Sequence, residues 1–62
     1  MSEIYPYNVY IYAVLNGVTV SVFKALNVSA ESAEMWKKEA EEKGFLYNVI
    51  QNGKIVETND KR

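Results

Sequence analysis

Tyr7-Asn8-Val9-Tyr10-Ile11-Tyr12-Ala13-Val14-Leu15-Asn16-Gly17-Val18-Thr19-Val20-Ser21-Val22-Phe23-Lys24-Ala25-Leu26 is the stretch on which the fold turns. β-Branched and aromatic residues dominate on both sides of Asn16-Gly17, and such side chains suit a pleated, half-buried surface. Asn and Gly tolerate the positive φ angles of a type I′ turn, whose twist matches the strands it joins, so the pair predicts a two-residue hairpin of fixed register. Regular alternation then sets Leu15 opposite Val18, Ala13 opposite Val20, Ile11 opposite Val22, Val9 opposite Lys24 and Tyr7 opposite Leu26 on an almost wholly apolar face. The other face pairs Val14 with Thr19, Tyr12 with Ser21, Tyr10 with Phe23 and Asn8 with Ala25, and is mixed but rich in rings.

Asn52-Gly53 repeats the signal between Phe45–Gln51 and Lys54–Thr58, predicting a second hairpin with Ile50 opposite Ile55, Val49 opposite Val56 and Tyr47 opposite Thr58. Glu57 then falls opposite Asn48, a weak polar pair. Leu46, Ile50 and Ile55 lie on one side and Phe45, Tyr47, Val49 and Val56 on the other, so the pattern does not decide which side is buried.

Between the hairpins, Ala, Glu, Lys and Met dominate Ala30 to Lys43, and Ser29 stands where an N-cap belongs. Asn27-Val28-Ser29 also fits a glycosylation acceptor, but the serine is better read as that cap. Ala33, Trp36 and Ala40 form a narrow apolar stripe with Ala30 and Met35 at its margins. Glu34 with Lys38 and Glu39 with Lys43 have i,i+4 spacing, and Gly44 suits a left-handed helix ending that folds Phe45 back on Ala40. The order strand, strand, helix, strand, strand predicts an α+β fold: a two-layer ββαββ domain whose four-stranded antiparallel sheet runs 2-1-3-4, with one helix on one face.

A chain of 62 residues, 48% of them apolar, has room for one domain and little hydrophobic surface to spare. The whole of 1–62 is read as that domain, with its core in 5–58 and a frayed tail at 59–62. No cysteine is present to staple it, so packing or self-association must supply the stability. The start of the chain lacks the basic and apolar regions of a signal peptide, and no stretch is long enough to span a membrane, which implies a cytoplasmic protein.

The absence of His and Cys removes the usual imidazole base, the thiol nucleophile and the common metal ligands. Glu31, Glu34, Glu39, Glu41 and Glu42 alternate with lysines as a solvated helix face does, while Glu3, Glu57 and Asp60 lie elsewhere. Ser21, Ser29 and Ser32 have no base, and each glycine has a turn or helix ending to make, leaving no phosphate loop. No catalytic, cofactor-binding or metal-binding residue is assigned, and no small-molecule substrate is evident. Single-stranded nucleic acid could stack on Tyr10, Tyr12 and Phe23, but a net charge of −1, with Lys24 on the other face, disfavours it.

The remaining signal is the ring-bearing row itself. A single helix covers one sheet face, and exposed apolar clusters mark contact surfaces, so Tyr10, Tyr12 and Phe23, extended by Tyr47, are the candidate protein-binding residues. A non-enzymatic binding module follows, its partner a second protein or a further copy of the chain. In topology alone the chain resembles short phage or mobile-element proteins that bind and inhibit a host protein; its consistent turns and caps also resemble a designed scaffold without a ligand. The assignment rests on an unbroken hairpin register: rings turned under Trp36 would not be available for docking.

Overall fold

Both Asn-Gly pairs turn the chain. In the computed structural model, which describes residues 6–61, Asn16 and Gly17 have φ of 53° and 78°, and Asn52 and Gly53 have 54° and 76°. Both positions of each turn thus occupy the left-handed region that a type I′ hairpin requires. The elements are β1 (Tyr7–Leu15), β2 (Val18–Val28), α1 (Ala30–Glu42), β3 (Leu46–Gln51) and β4 (Lys54–Thr58). The strands form one antiparallel sheet in the order β2-β1-β3-β4, with α1 packed on one face. Tyr5, the expected first core residue, and Arg62, at the end of the expected tail, lie outside the described residues.

Helix α1 begins at Ala30 as expected and ends at Glu42, with Lys43, the expected last residue, as its C-cap. The Ser29 hydroxyl accepts from the Ser32 amide at 3.2 Å, satisfying one of the first-turn donors. At the other end Gly44 has φ of 76°, the Phe45 amide donates to the Ala40 carbonyl at 2.8 Å, and the Gly44 amide donates to the Glu41 carbonyl at 3.2 Å. These two bonds are the Schellman pair. Of the expected side-chain pairs, Glu39 does bridge to Lys43, at 3.2 Å. Glu34 instead reaches Lys37, three residues on.

Three irregularities decide which side chains meet the helix. The register runs as expected from Leu15–Val18 to Tyr12–Ser21, and then Ile11 pairs with Phe23. Val22 is therefore an extra residue, a β-bulge that shifts the rest of β2 by one place. Phe23 and Ala25, not Val22 and Lys24, stand opposite Ile11 and Val9, and Lys24 turns to the far face across from Tyr10. A second shift separates Val9–Ala25 from Tyr7–Val28, where Leu26 and Asn27 together oppose Asn8. Asn27 takes φ of 56°, and its amide donates to the Asn8 side-chain oxygen at 2.9 Å. In the second hairpin Ile50 meets Ile55 as expected, but a bulge at Val56 sets Glu57 opposite Val49 and Thr58 opposite Asn48. These pairings replace the expected Val49–Val56, Tyr47–Thr58 and Asn48–Glu57 pairs.

The core lies between α1 and the helix-side rows of the sheet: Val9, Ile11, Ala25, Ala33, Ala40, Tyr47 and Val49 are buried, and Tyr7, Val28, Trp36 and Phe45 pack against them. Packing thus selects the Tyr47 and Val49 side of the second hairpin. The expected frayed tail is tied down at its start. Asn59 accepts from the Tyr47 amide at 2.7 Å through its side-chain oxygen, and Asp60 accepts from the Tyr12 hydroxyl at 2.7 Å. Among the described residues no helix is long and apolar enough to cross a membrane.

Candidate functional site

The bulge at Val22 divides the four ring residues singled out in the sequence. Tyr10 and Tyr12 lie on the face away from the helix. Phe23 does not: its ring stacks on Trp36 with centroids 4.4 Å apart and planes tilted by 30°. Tyr47 belongs to the core at 6% exposure. The expected continuous aromatic surface of Tyr10, Tyr12, Phe23 and Tyr47 is therefore corrected to one pair of tyrosines outside and two rings under or beside the helix.

The far face around those tyrosines is polar. Tyr12 is buried, its hydroxyl donating to the Asp60 carboxylate at 2.7 Å with the Asn48 side-chain oxygen 3.4 Å away. Thr19, Ser21, Asn48 and Asp60 line the same shallow depression. Lys24, expected on the opposite side, stands beside Tyr10. The Asp60 carboxylate and the Lys24 ammonium thus put charges of both signs on this face.

On the helix side the sheet outruns its cover. The β3 ladder stops at Tyr12–Leu46, whereas β1 and β2 continue to Leu15 and Val18, and the molecule measures 47 × 22 × 16 Å. The hairpin arm carries Leu15, Val18, Val20, Val22 and Phe23 at exposures between 41% and 61%. Val22 and Phe23 share this side because a bulge points two successive side chains the same way, and both line a groove with Ile11, Trp36, Ala40 and Phe45. Glu39 and Lys43 flank that groove. Contiguous exposed apolar surface of this kind is the usual mark of an interaction site. Its signal in the sequence was the Leu15, Val18, Val20, Val22 row, which alternation assigned to the core.

Lys37 is the residue sequence reading missed. It lies on the buried stripe with Ala33 and Ala40, is 8% exposed, and places its Nζ 2.6 Å from Glu34 and 2.7 Å from Glu57. Burial alone would pull the ammonium's pKa down, but the hydrogen bonds and charges of the two carboxylates outweigh it and hold the pKa above the ordinary lysine range. Through this ammonium the cluster fastens the helix to β4. Burial, followed by the negative charges of Glu41 and Glu57, raises the Tyr47 phenol above its usual value as well. No family model, curated protein or solved structure matches the chain.

Proposed function

We propose that the chain is a non-enzymatic protein-binding module whose contact surface is the helix-side face of the β1–β2 arm. The observation that carries this reading is the exposed apolar row Leu15, Val18, Val20 and Val22, with the part of Phe23 that Trp36 leaves open, on a hairpin that extends past its own helix. A domain with so small a core leaves that much hydrocarbon in water only at a cost, and a protein partner removes it. The far face supports the reading less well, because Tyr12 is buried and bonded to Asp60 and Tyr10 is half-buried. Lys37 is tied to both Glu34 and Glu57, an arrangement that favours a structural role over acid-base work.

The test replaces Leu15 with Ser and Val18 with Thr, two exposed positions beside the turn. Mass in solution and retention of proteins from a lysate on the immobilised chain are compared with wild type. Association should fall while the circular dichroism spectrum is kept. Wild-type and variant chains that behave alike in both assays, differing only in stability, would mark the domain as a scaffold without a partner.

A further inference from the structure

We infer that the arm's partner is a second copy of this chain, added antiparallel along the free edge of β2 with a two-fold axis through Val20; the inference rests on the binding role proposed for the arm. β2 lies at the margin of the sheet, as does β4. Exposed edges are normally guarded by charge, bulges or brevity. β4 has all three: five residues, Lys54 and Glu57, and the bulge at Val56. β2 has a bulge at Val22, Lys24 and a second bulge at Leu26 and Asn27, and every one of these guards lies from Val22 onward. Val18-Thr19-Val20-Ser21 is left uncharged, regularly paired and exposed, and Val22, the bulge residue that ends this window, is uncharged and exposed as well.

That window reads almost the same in both directions. Laid antiparallel on itself about Val20, it sets Val18 against Val22 of the second copy, Thr19 against Ser21 of the second copy, and Val20 against its own counterpart. Apolar residues meet on the helix side and hydroxyls meet on the far side, with no charge opposed to a like charge. The backbone has the matching parity. Leu15 and Val18 close the two-residue turn, so the amide and carbonyl of Val18 point inward to β1. Alternation turns those of Val20 inward too and leaves those of Thr19 and Ser21 facing outward. A two-fold axis at Val20 therefore makes two mutual Thr19–Ser21 hydrogen-bonded pairs and continues the sheet across both copies, with both helices on one side. The exposed apolar row comes to roughly 400 Å² per copy, within the ~300–600 Å² of a large surface patch. Edge pairing sets the two rows side by side and buries only their adjoining flanks, well under the ~1,200 Å² at which standard interfaces begin, so the pair is weak and depends on concentration.

Since the chain has no cysteine, Val20→Cys introduces a single thiol at the proposed axis. Facing residues of a non-hydrogen-bonded antiparallel pair bring their Cα atoms to about 4.5 Å, within the range a disulfide spans. Under mild oxidation Val20→Cys should give a covalent dimer at least tenfold faster than Val18→Cys or Lys54→Cys, which do not face their own copies. Sedimentation of the wild type over a concentration series should rise from one chain mass toward two. Thr19→Pro removes only an outward N–H, so it should keep the fold and abolish that rise. A chain of one mass at every concentration, with no preference for linkage at position 20, overturns the pairing. If such a monomer still retains a different protein through the arm, the binding role survives without it; no association of either kind defeats both. A dimer that tolerates Thr19→Pro and links equally at position 18 refutes the β2 edge as its seam.

Discussion

Lys37 is held by two carboxylates of unequal exposure, and that arrangement predicts non-additive energetics. The Glu34 side chain is 72% exposed and that of Glu57 48%, against 10% for Lys37. Ion pairs with exposed partners contribute only ~0–1 kcal/mol, so Glu34→Ala should cost about 0.5 kcal/mol and Glu57→Ala about 1 kcal/mol, because the surviving carboxylate still serves the ammonium. Removing both strands a buried charge, which costs several kcal/mol in comparable sites; allowing for partial access of water, the double variant should lose about 3 kcal/mol. In a domain of this size that lowers Tm by roughly 12–24 °C. Adding Lys37→Met to the double variant removes the stranded charge, keeps a similar stem in place, and should recover at least half of the loss. The assay is thermal and urea unfolding of all the variants as a double-mutant cycle. Single effects that sum to the double effect within ~0.5 kcal/mol, with no recovery by Lys37→Met, would refute the argument.

Alkaline titration supplies a second check, with its sign set by linkage. Lys37 has a folded pKa above the ordinary 10.5 and Tyr47 one above the ordinary 10.0. Each therefore adds stability that is complete below those values and lost as pH rises through the folded ones, so unfolding free energy should decline above about pH 10 and Lys37→Met should flatten the decline. At Asn27, where φ is 56°, Ala should cost about 1 kcal/mol and Gly almost nothing, a contrast readable in Tm; equal losses would mean that the side chain, not the backbone, matters there. Deletion of Val22 brings Ser21 and Phe23 into direct succession opposite Tyr12 and Ile11. The fold and the near-ultraviolet signal of Trp36 against Phe23 should persist while self-association rises along a longer flat edge. Loss of that signal would show that the extra residue is needed to seat the ring.

Features written in short-range chemistry were legible: both Asn-Gly turns, the Ser29 cap, the Gly44 ending and, from their order, the strand arrangement. The bulges were not. Val22-Phe23 is a pair of adjacent apolar residues, and an alternating pattern accepts either as the inward one. A hint lay in Lys24, which strict alternation placed opposite the core residue Val9; the bulge replaces that misfit with Ala25. Glu57 carried a similar hint, since only its neighbour across the layer, Lys37, explains why it turns inward. Lys37 itself stood at i+4 from Ala33, on the buried stripe, where its charge hid it from a search for apolar periodicity. Because the candidate surface depended on the register beyond Ser21, a single inserted residue was enough to move Phe23 from one face to the other.

The placement of β1 also bears on how the chain folds. Each hairpin is closed by its own tight turn and can zip within microseconds, but the two halves are joined through the β1–β3 ladder, whose nearest rungs in sequence are Tyr12 and Leu46. Closing that long loop is the slow, entropically demanding event, with α1 as the tether that shortens the search. We therefore expect Val9→Ala, on the central strand, to slow refolding in stopped-flow traces. Gly53→Ala should chiefly hasten unfolding, and the reverse pattern would place the kinetic bottleneck in the hairpins themselves.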